Sequence, residues 1–128
     1  MPEIFNLEII SPEKKLIEEK IQSITIPAFE GEMTILPDHI PLITFLRPGI
    51  IEVSGKNKIK YFIEEGTVEF SKNNLIILSS TIVDLNSISK DTINKYIDDC
   101  KTKLKKDDLS DKQRYIVSHK MDCLSKIN

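Results

Sequence analysis

The spacing of apolar residues changes once along this 128-residue chain, and the change falls near Ser87. Ahead of it, apolar side chains recur every second residue, which places them on one face of a strand. Phe5, Leu7 and Ile9 alternate with Asn6 and Glu8. Ile24 and Ile26 alternate with Ser23 and Thr25, and Ile59, Tyr61 and Ile63 with Lys60, Phe62 and Glu64. Short apolar runs at 33–36, 40–46, 50–53, 75–78 and 82–85, with Val68 and Phe70, read as further strands. Turn signals separate them at Ser11-Pro12-Glu13, Glu30-Gly31-Glu32, Arg47-Pro48-Gly49, Ser54-Gly55-Lys56-Asn57 and Lys72-Asn73-Asn74, and Gly66 marks a bend or bulge. Roughly nine or ten short strands so closely punctuated predict a β-sandwich or flattened barrel over residues 1–86.

Beyond Ser87 the period becomes helical. Ile93, Tyr96, Ile97, Cys100 and Leu104 fall on one face of a helix, with Ser89 as its N-cap and Asp91 in its first turn. Lys105-Lys106-Asp107-Asp108 ends it. Ser110 and Gln113 then form a capping box for a second helix, whose stripe is Val117, Met121 and Leu124, widened by Ile116, Cys123 and Ile127. A short link between two amphipathic helices predicts an antiparallel hairpin over residues 87–128. Backbone entropy takes back about what this short tail gains from burial, so the hairpin depends on docking, to the sandwich or to a partner.

Hydrophobic content of 40% and charged content of 30% fit a globular chain. No apolar run approaches the roughly 18 residues of a membrane-spanning helix. Met1-Pro2-Glu3 carries no evident secretory signal, and Cys100 and Cys123 fit a reducing compartment better than a disulfide framework. The net charge of -2 conceals a division: residues 1–89 carry 8 Lys and Arg against 13 Asp and Glu, and residues 90–128 carry 10 against 7. The halves, at -5 and +3, therefore present different fields to their surroundings. The seven aspartates of the basic half dilute any field for phosphates, which argues against nucleic acid.

Catalytic constellations are missing from the pattern. His39 and His119 lie in different halves, with no H-x-x-x-H and no C-x-x-C. There is no G-x-S-x-G, no P-loop and no G-x-G-x-x-G. Glu30 and Glu32 flank Gly31 on a turn, where solvated carboxylates are expected rather than an acid–base pair. Cys100 and Cys123 read as small packing residues. His39, between Pro37 and Pro41, is either a loop histidine bonded to nearby backbone or an interface residue aimed by its restricted neighbours. A free-standing binding module, with a deep apolar pocket and the helices as a lid, is the competing interpretation. An enzyme would need groups that are not evident.

The stretch Glu30-Gly31-Glu32-Met33-Thr34-Ile35-Leu36-Pro37-Asp38-His39-Ile40-Pro41-Leu42 resembles the E-G-x-x-G/T-I/V-x-P-x-H-x-P-L pattern of the ε subunit family of F-type ATP synthase, called δ in mitochondria. Residues 7–16, Leu46-Arg47-Pro48-Gly49-Ile50-Ile51 and Gly66-Thr67-Val68-Glu69-Phe70 are similar to further segments of that family, in the same order. The resemblance covers about the first 85 residues and is architectural over the tail.

It implies a ten-stranded β-sandwich followed by two helices, in a rotor subunit without catalytic residues. It implies partners in the γ subunit and the c-ring, and contact with the α and β subunits through the C-terminal helices. Membrane association would come only through the complex, on the cytoplasmic face of the bacterial inner membrane. By position, Glu32 matches the turn facing the c-ring, with Glu30 beside it, and His39 matches the loop histidine of the γ-facing surface; with Gly31, Pro37, Asp38, Pro41 and Leu42 they make up the implied γ and c-ring interface. Lys101, Lys103, Lys105, Lys106, Lys112, Arg114 and Lys120 would give an inhibitory arm its basic field. Some relatives bind ATP through a motif like I/L-D-x-x-R-A. Here the run is Ile88-Ser89-Lys90-Asp91-Thr92-Ile93, with Ser89 for the carboxylate and Thr92 for the arginine, so weak or no ATP binding and no other cofactor are expected.

Overall fold

Phe5, Leu7 and Ile9 are buried, while Asn6, Glu8 and Ile10 between them are half covered, the signature of a strand with one face in a core. The same alternation recurs through most of the first 85 residues of the computed structural model, which describes residues 3–85, 89–106 and 108–127. The expected boundary at 86/87 lies outside the described residues, as do Ser87, Ile88 and Asp107 and the side chain of Ile127.

The strands are β1 (Phe5–Ile10), β2 (Lys15–Ile21), β3 (Ser23–Ala28), β4 (Gly31–Ile35), β5 (Leu42–Leu46), β6 (Gly49–Ser54), β7 (Lys58–Ile63), β8 (Gly66–Ser71), β9 (Asn74–Leu78) and β10 (Val83–Asp84). They form one sheet in the order β10-β7-β6-β3-β5-β8-β9-β1-β2, with β4 hydrogen-bonded to β3. The first strand lies parallel to β9, Leu7 opposite Leu75 and Ile9 opposite Ile77. The sheet folds over on itself, so that side chains from all of β1 to β9 share one core. This is the expected sandwich. Among the described residues its core is Ile, Leu, Phe and Val packed against one another, with Tyr61 at its margin.

Three local expectations need correction. β2 carries no strand expectation because its sequence, Lys-Leu-Ile-Glu-Glu-Lys-Ile, lacks alternation; it is an edge strand that buries only Ile21 fully. Gly66 is not a bulge. It opens β8 in regular register with Leu46, and a Cβ there would stand 2.7 Å from the Leu78 carbonyl oxygen, so close backbone approach is its reason. The shift in strand register falls instead between Ile9 and Ile10. Phe62, expected on the polar face of β7, is buried: the outer face of that part of the sheet is covered by helices.

Those helices are α1 (Lys90–Leu104) and α2 (Asp111–Ile127). Ser89 caps α1, its Oγ accepting from the Thr92 N–H at 3.2 Å. The capping box forms reciprocally, Ser110 N–H donating to Gln113 Oε1 at 2.9 Å and Gln113 N–H to Ser110 Oγ at 3.1 Å. Arg114 on α2 reaches back and donates to the carbonyls of Leu104 and Lys106, at 3.0 and 2.9 Å, satisfying acceptors that the end of α1 leaves open. The hairpin then docks on the sheet through Ile93, Leu124 and Phe62, flanked by Leu85, Tyr96, Ile97 and Cys123. Among the described residues no helix is long and apolar enough to cross a membrane.

Candidate functional site

The β3–β4 hairpin closes through Phe29 and Glu30, with Ala28 opposite Gly31. Gly31 has φ +136°, a backbone conformation that only glycine adopts without strain. Glu30 and Glu32 are both exposed at this tip, Glu32 standing opposite Pro27. No acid–base pair is formed: the carboxylates look into solvent.

At the far end of β4 the chain makes a second tight turn. His39 N–H donates to the Leu36 carbonyl at 3.1 Å, with Pro37 at the first central position and Asp38 at the second. Asp38 has φ +65°, so this is a type II arrangement with an aspartate where glycine is usual. The His39 ring sits edge-on to Phe70, centroids 6.0 Å apart, and its Nδ1 lies 2.8 Å from the Ile40 carbonyl oxygen. That is the bonded loop histidine; half-buried, it also stays at the surface. Pro41 is exposed, and Leu42 begins β5 half-buried against the core.

The predicted residues therefore split into two groups. Glu30, Gly31 and Glu32 occupy one end of β4, and Pro37, Asp38, His39, Pro41 and Leu42 follow its other end. Glu32 and Pro37 lie five positions apart along extended chain, a span of about 17 Å. β5 runs back between the two, since the Phe29 N–H donates to the Phe45 carbonyl at 3.0 Å.

Sequence reasoning missed what β5 carries on its outer face. Ile43 is 77% exposed and Phe45 62%, and Ile40 just before them is 73% exposed. Phe45 stands opposite Thr67, Thr67 opposite Leu78, and Leu78 opposite Ile10, so a largely apolar row crosses four strands. The row runs into a groove of about 840 Å³ beneath α2, bounded by Phe29, Phe45, Leu78, Glu64, Lys112 and Ile116. A contiguous apolar band of this kind is more than the scattered apolar residues an ordinary surface carries. The signal was available: apolar residues on both faces of the run 42–46 mean a strand to be covered twice.

The seven basic residues of the C-terminal half do not form one face. Lys101, Lys103, Lys105 and Lys106 crowd the exposed end of α1, and Lys112 lies at the groove. Arg114 is spent on the end of α1. Lys120, only 16% exposed, is ion-paired with Glu64 on the sandwich, and its ammonium lies 5.6 Å from the centre of the Tyr96 ring. Cys100 is buried nearby; burial pushes its thiol pKa up, with Lys120 and Lys103 pulling the other way. Cys123 turns toward the sheet, its Sγ 3.5 Å from the Pro48 carbonyl oxygen, and belongs to the docked interface.

Residues 4–84 match the family model described as the ATP synthase delta/epsilon chain, beta-sandwich domain. The ATP synthase epsilon chain of Pelagibacter ubique is 42% identical, over the full length of both chains. That of Allorhizobium ampelinum is 39% identical over 81% of this chain and 78% of its own. In fold, the chain resembles one in the Euglena gracilis mitochondrial ATP synthase OSCP/F1/c-ring structure, with TM-score 0.81, 24% identity, and 98% of this chain and 82% of that one covered. It also resembles one in the central stalk and c-ring of the Tetrahymena thermophila mitochondrial ATP synthase, with TM-score 0.70, 14% identity, and 94% and 93% covered. With the sandwich matched nearly end to end and a full-length relative at 42% identity, this chain belongs to the ATP synthase delta/epsilon chain family.

Proposed function

We propose that this chain is a non-catalytic rotor subunit that joins the γ subunit to the c-ring and carries torque between them. The observation that carries this reading is the contrast between a small acidic tip at the closed end of the β3–β4 hairpin and a broad apolar surface that starts beside that tip at Phe45 and extends to the loop at the other end of β4. The tip at Glu30 and Glu32 is small, charged and exposed, suited to the polar loops of a membrane ring. The loop at 36–41 and the band of Ile43, Phe45 and Leu78 offer apolar area, suited to a permanent partner such as γ. The well-packed sandwich that carries both resists shear. The subunit reaches the membrane through the complex alone, on the side where the catalytic head stands.

Co-expression with γ tests the assignment. The intact chain co-purifies with γ, and Phe45→Arg abolishes this while leaving the circular dichroism of the fold unchanged; failure of the intact chain to associate refutes it. Glu32→Lys weakens coupled proton pumping without loss of γ binding, and undiminished pumping removes Glu32 from the c-ring contact.

ATP binding by the hairpin is weak or absent. Ser89 is occupied in capping α1, its Oγ 2.9 Å from Thr92 Oγ1, so neither residue offers the charged contact of an aspartate or arginine. Calorimetry finding millimolar or tighter affinity overturns this. The hairpin's share in restraining ATP hydrolysis is read by comparing ATPase rates of the assembled enzyme with the full chain and with residues 1–86.

A further inference from the structure

Three non-glycine residues among those described have φ in the left-handed region: Asp38 at 65°, Lys72 at 51° and Asn73 at 59°. They lie in two turns about 35 positions apart, and a contact between Asp38 and Asn73 joins the turns. Lys72 and Asn73 form the two-residue turn between β8 and β9, with Ser71 opposite Asn74. The Asn73 side chain then reaches across to the turn after β4. Its Oδ1 accepts from the Asp38 N–H at 2.7 Å and its Nδ2 donates to Asp38 Oδ1 at 2.9 Å. The Asn73 backbone carbonyl is used as well, accepting from the Asn6 N–H at 2.9 Å. Left-handed backbone costs free energy at non-glycine residues and persists where the surroundings over-determine it. Here one asparagine does so for the loop that aims His39.

We propose that Asn73 is a positioning residue for the partner-binding loop, holding residues 36–41 in their binding shape before the partner arrives. The role rests on the reading of this loop as a γ-facing surface. Asn73 needs no contact with the partner. Its amide fits the exposed N–H and carboxylate of Asp38 at once, so the turn cannot relax to an ordinary φ without breaking both bonds. The exposed Leu36 and Ile40, 55% and 73% accessible, are carried on either side of this fixed point. Without the clamp the loop samples other shapes, and affinity falls by the fraction of time it spends in the competent one.

Asn73→Gly separates the clamp from the fold, because glycine takes the left-handed turn position readily and loses only the amide. Two measurements decide. Hydrogen exchange of the His39 amide, bonded to Leu36, reports loop order without any partner. Surface-bound recombinant γ reports kinetics. Asn73→Gly is expected to speed His39 exchange and to lower γ affinity by about fivefold to tenfold through slower association with an unchanged dissociation rate. Asn73→Asp, which sets two carboxylates against each other, does the same, and adding Asp38→Asn restores both readouts by exchanging the partners. Unchanged exchange and kinetics in Asn73→Gly overturn the proposal, as does a loss seen only in dissociation or a failure of the exchanged pair to rescue. If the unaltered chain does not bind γ, the functional assignment falls, while the exchange measurement still decides whether Asn73 clamps the loop.

Discussion

The sandwich and the helical hairpin are stabilised by different amounts of the same interaction. Among the described residues, sixteen buried side chains form the core of the sheet, and three fully buried ones, Phe62, Ile93 and Leu124, join the hairpin to it. Burying such a side chain contributes about 1.5–3 kcal/mol, so the body has a reserve that the docked layer lacks. The hairpin makes up part of the difference with polar contacts: the capping box, Arg114 on the end of α1, and Lys120 against Glu64. Apolar burial builds a part that must not yield, and a thin apolar seam fastened by a few directional bonds builds one that can come away without unfolding the rest.

The largest test of this contrast is in the body. Ile26→Ala should cost about 2–5 kcal/mol in urea unfolding, because Ile26 is completely buried and its neighbours cannot collapse into the space. Both regions should then unfold at lower denaturant. Leu124→Ala removes an equally buried side chain from the seam, and here the loss of about 2–3 kcal/mol should fall on docking alone. Amide exchange would accelerate throughout α1 and α2 and stay slow in β1, β8 and β9. Equal acceleration in both regions would show that they unfold together. Exchanging the ion pair is a smaller test. Glu64→Gln leaves Lys120 largely buried without its anion and should loosen docking by about 1–2 kcal/mol, seen as faster thiol labelling of Cys100. Glu64→Lys with Lys120→Glu should slow the labelling again.

The smallest effect is confined to high pH. Burial, then the charges of Asp84 and Glu19, pushes the Tyr61 phenol up to about 12 from an ordinary 10.0. A raised folded pKa means that its stabilisation is complete below pH 10.0 and is lost as the pH climbs toward 12. After allowance for solvent screening the loss is about 1 kcal/mol. Tyr61→Phe should lack this share of the alkaline decline in unfolding free energy, and an unchanged decline would assign it to other groups.

How far the molecule could be read from its residues follows the same division. Alternation revealed β1, β3 and β7 because one face of each meets the core and the other meets water or is half covered. It failed for β2, where charges at Lys15, Glu18, Glu19 and Lys20 cover an edge strand on both faces. It misjudged Phe62, since a residue that points away from one core can point into another. Caps at Ser89 and Ser110 were legible because they act over three residues. The engagement of Arg114 and Lys120 was not, because it depends on how the hairpin folds back and where it lands. Of the candidate site, the turns at Gly31 and Pro37 announce themselves. The pairing of Asp38 with Asn73 crosses 35 positions, and no local pattern encodes it.

The parallel pairing of β1 with β9 carries a consequence for synthesis. β1 precedes its parallel neighbour by more than sixty residues, so Leu7 and Ile9 keep one strand edge open until residues 74–78 have been made. Until then β1 has only β2 beside it, whose dense lysines and glutamates keep that early ribbon from sticking to other nascent chains. The charge that hides β2 from pattern reading is also what guards this edge of the sheet against pairing with another chain.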